Sequence, residues 1–221
     1  MFLPSDDTGF SQVISMGDAF EPEMSDAFKS AVLPGMTVLD IGANVGYYTL
    51  LASSLAGPSG KVLAFEPERT NLSFLLKNVA ENACSNVMVC PYAVSSDFGS
   101  AVLHLARHSR SGHSMVIPPQ NREAGGEQTI VTVGLDGFLP QALRPDVIKL
   151  DIEGAEPLAL KGMERLLLEP KLKTVFIECN SSMLAAQGTS SEEVLGVLRR
   201  HGFSCRGLDG INFLCSRSTQ A

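Results

Sequence analysis

The sequence predicts an α/β protein, a doubly wound and mostly parallel sheet with helices on both faces. Three observations carry that expectation. Short runs rich in Val, Ile and Leu alternate with longer segments of helical spacing. A turn bearing two glycines, Gly42-Ala-Asn-Val-Gly46, closes the first full run. Carboxylates mark the ends of the runs at Asp40, Glu66, Asp151 and Glu178.

The elements follow in order. Glu21 to Leu33 places Met24, Ala27, Phe28, Ala31 and Val32 at near-helical spacing, and Pro34-Gly35 stops the pattern. Thr37 to Ile41 is the first strand, and Tyr47 to Ala56 the helix after the glycine turn, ended by Gly57-Pro58. Val62 to Phe65 is a second strand, Thr70 to Asn82 a helix, and Val87 to Val94 a third strand. Such alternation builds parallel sheets through right-handed crossovers.

The rhythm then breaks. Ser100 to Ala106 and Thr129 to Val133 alternate in the manner of two added, paired strands. Between them, Arg107 to Gln128 is rich in Ser, Gly, Pro, Arg and His and reads as a lid or substrate loop. Alternation resumes with strand Val147 to Asp151, helix Glu156 to Leu168, strand Thr174 to Cys179 and helix Ser191 to His201. Gly202 to Arg206 and Ile211 to Cys215 finish as strands around Leu208-Asp209-Gly210. At 221 residues this is one domain, residues 37–221, behind a helical lead-in of residues 1–36.

Seventeen basic against 24 acidic side chains give a net charge of -7, which argues against a nucleic-acid partner, since such modules need a basic face. The five cysteines are odd in number and show no CxxC spacing. The expectation is therefore no disulfide framework, no zinc knuckle and a reducing, cytoplasmic setting. MFLPSDDTGF lacks a basic and an apolar leader region, and the uncharged run from Ile41 to Gly60 is broken by glycines and Pro58. Neither a signal peptide nor a membrane partner is expected. The oligomeric state stays open, a homodimer among the options.

The chemistry concentrates in two places. In Val38 to Gly46 a strand must turn sharply into a helix whose free N–H groups face a bound molecule. The dinucleotide pattern G-x-G-x-x-G is missing, because Asn44 stands at its second glycine. An acid at Asp40 suits a ligand amino group and would repel a pyrophosphate. Glu66, in Phe65-Glu66-Pro67, stands twenty residues after Gly46, where an acid accepts hydrogen bonds from both ribose hydroxyls. A ribose joined to a cationic amino-acid tail describes S-adenosylmethionine.

The second place is Val147-Ile-Lys-Leu-Asp-Ile-Glu-Gly-Ala-Glu156, with Glu178 one strand over. Carboxylates converging at strand ends either deprotonate a hydroxyl or hold a hard divalent cation such as Mg²⁺. Asp151 and Glu178 are the candidates for catalysis, and Asp151, Glu153 and Glu178 those for a metal.

Taken together, Val38 to Gly46, Phe65-Glu66-Pro67, Leu76-Lys-Asn78 with Asn82, and Ile148 to Glu156 closely resemble the FkbM-type methyltransferase family. Phe20-Glu-Pro, Leu33-Pro-Gly35 and Phe176-Ile-Glu178 are similar too, so the resemblance runs from about Phe20 to Glu178. It implies a Rossmann-like class I fold of seven strands with an antiparallel last strand. It also implies methyl transfer from S-adenosylmethionine, mostly to hydroxyls of natural products or sugars. Asp40, Gly42, Ala43, Asn44, Gly46 and Tyr47 would then seat the methionine part, Glu66 and Pro67 the ribose, Tyr92 and Ala93 the adenine, and Asp151 the methyl end. Within Arg107 to Gln128 only Ser111-Gly-His-Ser114 matches the family, so the acceptor's identity does not carry over. His113 is the substrate-side base candidate there, while His104 and His108 read as solvent-facing. N-methylation, protein side-chain methylation, a non-catalytic nucleotide-binding domain and an NAD-dependent oxidoreductase are the competing readings.

Overall fold

The computed structural model describes residues 1–4, 14, 20–106 and 124–217. The helix α1 (Pro22–Ala31) leads into β1 (Thr37–Ile41), α2 (Tyr47–Ala56), β2 (Lys61–Phe65), α3 (Arg69–Glu81) and β3 (Val87–Cys90). A hairpin region follows, with β4 (Ala93–Val94), β5 (Gly99–Ala106), β6 (Ala124–Val133) and the short α4 (Leu135–Phe138). The second half holds β7 (Val147–Leu150), α5 (Glu156–Lys161), α6 (Glu164–Leu167), β8 (Thr174–Glu178), α7 (Ser181–Ala186) and α8 (Ser191–Arg200), then β9 (Ser204–Gly207) and β10 (Asn212–Ser216).

Seven of these strands form one sheet in the order β3-β2-β1-β7-β8-β10-β9. Pairing is parallel from β3 through β8, and β10 runs antiparallel to both neighbours. The expected doubly wound sheet with an antiparallel final strand is present. Strand order reverses between β1 and β7, the switch point beyond whose carboxyl ends ligands bind in such sheets.

Side-chain alternation along the strands feeds two cores. Leu39, Ile41, Ile148, Leu150 and Ile177 pack against Leu160 of α5, Leu166 of α6 and Leu198 of α8. Val38, Val147 and Phe176 face the other way, onto Phe28 of α1 and Tyr48 and Ala52 of α2. The helices are stopped and started by local chemistry. At α8, Ser190 accepts from the Glu193 N–H at 3.3 Å, with Glu192 and Glu193 in the first turn and Arg199 and Arg200 in the last. At α3, the Glu68 side chain caps the N–H groups of Thr70 and Asn71.

Several elements differ from their predicted form for visible reasons. Val87 to Val94 is two strands, because Pro91 has no N–H to donate and the chain leaves the main sheet there. β4 then joins β6 and β5 in a separate three-stranded sheet. The hairpin strands are longer than predicted, and residues 124–128, assigned to the lid, belong to β6. The remaining lid residues, 107–123, lie outside the described set and with them His113 and His108. The predicted helix Glu156 to Leu168 breaks at Gly162, where a Cβ would stand 2.0 Å from the Ser95 carbonyl oxygen. The strand exit before β5 therefore packs against bare backbone. Two short helices, α4 and α7, had no periodic signal long enough to read.

The cysteine expectation needs correction. Cys205 and Cys215 face each other in register across β9 and β10 and form a disulfide. Their spacing matched no known motif, so only strand pairing brings them together. The bridge spans ten positions of sequence, and closing a loop of that size stabilises a chain by about 2–3 kcal/mol. Cys205→Ser is expected to lower the unfolding free energy by about that amount in denaturant titration, and reductant should lower the unaltered protein equally.

Candidate functional site

The carboxyl ends of β1, β2, β7 and β8 and the loop between β3 and β4 enclose a cleft of about 300 Å³. Gly42, Asn44, Glu66, Pro67, Asn71, Tyr92, Ala93 and Leu103 line one part, and Asp151, Ile152, Glu153, Glu178, Asn180, Ile211, Phe20 and Glu21 the rest. Among the described residues lining it there is no Lys, Arg or His.

The floor is the glycine turn. Gly42 has φ +81°, and a Cβ there would lie 1.8 Å from the Asp151 carbonyl oxygen. The glycine is thus demanded by the close approach of the β1 and β7 exits. Gly46, at φ +101°, is constrained by Leu75 of α3, 2.7 Å from where its Cβ would be. Packing of the chain against itself explains both conformations without a ligand.

Glu66 is organised for recognition. It is only 5% exposed, and its two oxygens accept from the backbone N–H groups of Asn44 and Glu68, each at 2.8 Å. A carboxylate offers about four lone-pair positions, so acceptor capacity remains on both oxygens toward the cleft. Burial pushes its pKa up to about 7, with those two N–H groups opposing the rise. Asn44 reaches its position through a left-handed turn, φ +52°, that aims its N–H at Glu66.

Beneath the cleft lies a buried polar row. Asp40 is paired in register with Lys149 and belongs to the face that Val38 presents to α2. It is 0% exposed, accepts from Thr49 Oγ1 at 2.5 Å, and stands 4.0 Å from Lys149 Nζ. Burial raises the Asp40 pKa, offset by Lys149 and Thr49. Lys149 is 3% exposed and donates to Asp151 Oδ2 at 2.9 Å. Burial disfavours its charge, but Asp151, Asp40 and Glu21 together hold the ammonium protonated.

Of the sequence-predicted residues, Gly42, Asn44, Glu66, Pro67, Tyr92, Ala93, Asp151, Glu153 and Glu178 are brought to the cleft wall. Asp40, Ala43, Gly46 and Tyr47 are not part of that wall. Strand alternation sends Asp40 under α2, and Ala43 packs with Ala64 and Leu75. Tyr47 stacks edge-on with Phe20 and Tyr48 and contacts Ser25. His104 bridges to Glu127 across the hairpin at 3.3 Å. No group of three or more His, Cys, Asp or Glu among the described residues is arranged to hold a metal. Asp151 spends one oxygen on Lys149 instead.

Among the wall residues that the sequence did not mark as site residues are Glu21, Asn180, Asn71 and Ile152. Glu21 enters from before α1 with φ +45° and accepts from Tyr48 Oη at 2.8 Å and Asn212 Nδ2 at 3.2 Å. Burial raises its pKa, with Lys149 opposing. In the sequence it is marked only by the family resemblance of Phe20-Glu-Pro. Asn180 caps α7, and Asn71 and Ile152 gave no signal beyond their elements.

A family model described as the methyltransferase FkbM domain matches residues 40–205. The hexuronic acid methyltransferase AglP of Haloferax volcanii is 29% identical over 130 residues, 58% of this chain and 50% of that protein. Methyltransferase sdnD of Sordaria araneosa is 30% identical over 156 residues, 58% of this chain and 60% of that protein. The chain thus spans half to three-fifths of the length of these two relatives. The crystal structure of an FkbM methyltransferase from Methylobacillus flagellatus KT superposes with a TM-score of 0.55 at 17% identity, covering 87% of this chain and 50% of that one. A methyltransferase structure from Aquifex aeolicus covers 93% of this chain and 95% of its own, with a TM-score of 0.52 at 18% identity.

Proposed function

Since the chain belongs to the FkbM methyltransferase family, we propose that it transfers the methyl group of S-adenosylmethionine to a hydroxyl oxygen of a small molecule. The observation that carries this reading is Glu66, a buried carboxylate fixed by two backbone N–H groups with acceptor capacity turned into the switch-point cleft. That arrangement fits the adjacent hydroxyls of a ribose. Tyr92, Ala93, Pro67 and Asn71 offer a mixed apolar and amide wall for the adenine beside it. Asp151, over the β1–β7 switch, lies next to the place where donor and acceptor meet.

S-adenosylmethionine supplies an electrophilic methyl on a sulfonium, so the chain's task is alignment more than activation. The S–CH₃ bond breaks with its electron pair left on sulfur, the oxygen–carbon bond forms, and the hydroxyl proton passes to Asp151. Lys149 orients that carboxylate from below, and Glu153 and Glu178 line the cleft beside it. We further assign residues 37–221 to one donor-binding unit and residues 1–36 to a lead-in that delivers Glu21.

The test incubates the protein with S-adenosylmethionine and a panel of hydroxylated small molecules, sugars included. Mass spectrometry should show one methyl gained on oxygen in step with S-adenosylhomocysteine release. Calorimetry should show S-adenosylhomocysteine binding without any acceptor. If neither the nucleoside nor its product binds, the reading falls.

A further inference from the structure

One carboxylate in the cleft lacks what every neighbouring acid has. Asp151 is bonded to Lys149, and Glu21 receives the Tyr48 hydroxyl and the Asn212 amide. Glu66 receives two backbone N–H groups. Glu178 is 8% exposed and lines the cleft, yet its carboxylate has no hydrogen bond or ion pair with any described residue. Asp151, Glu153 and Glu21 surround it, and among the described residues Lys149 is the cation that faces it. Burial and those acids push its pKa far above the carboxylate range. The group is thus a neutral acid on its own, and a cation seated beside it would draw the proton off and pair with the carboxylate.

The methyl donor does not reach it from the seat described above. Glu66 directly follows β2 and Glu178 ends β8, three strand spacings away in the order β2-β1-β7-β8, or roughly 14 Å. With the ribose on Glu66, the methionine arm lies over the β1 and β7 tips, where Asp151 stands. Glu178 then faces the acceptor side, beside Phe20, Ile211 and Asn180.

We propose that the methyl acceptor is a hydroxylated amine whose protonated amino group is held by Glu178, beside the hydroxyl that receives the methyl. The inference rests on the methyl-transfer reading. A neutral hydroxyl could donate one bond to Glu178, but it adds no charge against the three acids Asp40, Asp151 and Glu21 that share Lys149, whereas an ammonium does both. A protonated amine also has no lone pair to attack the methyl, so oxygen remains the nucleophile. The same acids repel carboxylates. This chain is thus expected to differ in acceptor charge from the relative named for a hexuronic acid.

The test uses glucose and two relatives of it, each changed at one carbon. Glucosamine, glucose and glucuronic acid are titrated into protein saturated with S-adenosylhomocysteine. Glucosamine should bind at least about tenfold more tightly than glucose, and glucuronic acid more weakly than either. Glu178→Gln should erase the preference for the amine while S-adenosylhomocysteine affinity stays within about twofold. Equal binding of glucose and glucosamine, preference for glucuronic acid, or no binding of glucosamine overturns the proposal on the unaltered protein alone. Loss of S-adenosylhomocysteine affinity in Glu178→Gln would place Glu178 in the donor seat and overturn it too. Failure of the unaltered protein to bind S-adenosylhomocysteine is a different result, and it removes the methyl-transfer reading itself.

Discussion

Replacing Glu66 by alanine should weaken S-adenosylhomocysteine binding by about three orders of magnitude. Two hydroxyl-to-carboxylate hydrogen bonds of about 2 kcal/mol each give roughly 4 kcal/mol, near 10³-fold. The side chain also carries the N–H groups of Asn44 and Glu68, so its removal loosens the turn that forms the cleft floor. A pH profile separates recognition from mere loosening. The Glu66 pKa is raised to about 7 by burial, and only the ionised form offers both oxygens as acceptors. Affinity in the unaltered protein should therefore be flat above pH 7 and fall about tenfold per unit below it. The variant should lose that step. The same shift bears on stability with the opposite sign. A carboxylate whose folded pKa lies above its unfolded value contributes stability fully present below the unfolded pKa, near 4.5, and lost as pH rises through about 7. Calorimetry at several pH values on the variant and the unaltered protein reads both effects. Unchanged affinity would remove the ribose assignment.

How much of this was legible depends on whether the signal was local. The parallel strands, the glycine turn and Glu66 are encoded in contiguous residues, and the sheet has them where the apolar runs end. The orientation of Asp40 was not legible as chemistry, although alternation along β1 already placed it with Val38 against α2. A period of two along the strand takes its side chain away from the cleft wall. The role of Lys149 requires β1 and β7 to be neighbours, which only topology supplies. Glu21 was hidden for a related reason, since it meets Tyr48 and Asn212 across separations of 27 and 191 residues. The disulfide is a register effect between β9 and β10. Local chemistry was readable, and pairings made by the sheet were not.

The other large effect concerns Asp151. Asparagine there keeps size and hydrogen-bonding shape but cannot accept the hydroxyl proton, and removal of a general base typically costs 10²–10⁴ in rate. Asp151→Asn is expected to lower methyl transfer by about 10³-fold while S-adenosylhomocysteine affinity stays within a few-fold. The surrounding charges make a purely structural outcome recognisable. Lys149 loses its 2.9 Å partner in the variant, yet Asp40 remains 4.0 Å away and Glu21 still faces it, so the ammonium is not stranded. A fold lost for want of a buried counter-ion would show as a collapsed melting transition and absent product binding together. Lys149→Met supplies the complementary measurement. It leaves the carboxylate in place without its orienting cation, and should lower the rate of methyl transfer while S-adenosylhomocysteine affinity stays within a few-fold. A rate independent of residue 151, in protein that still melts cooperatively and binds product, would show that the hydroxyl proton leaves by another route.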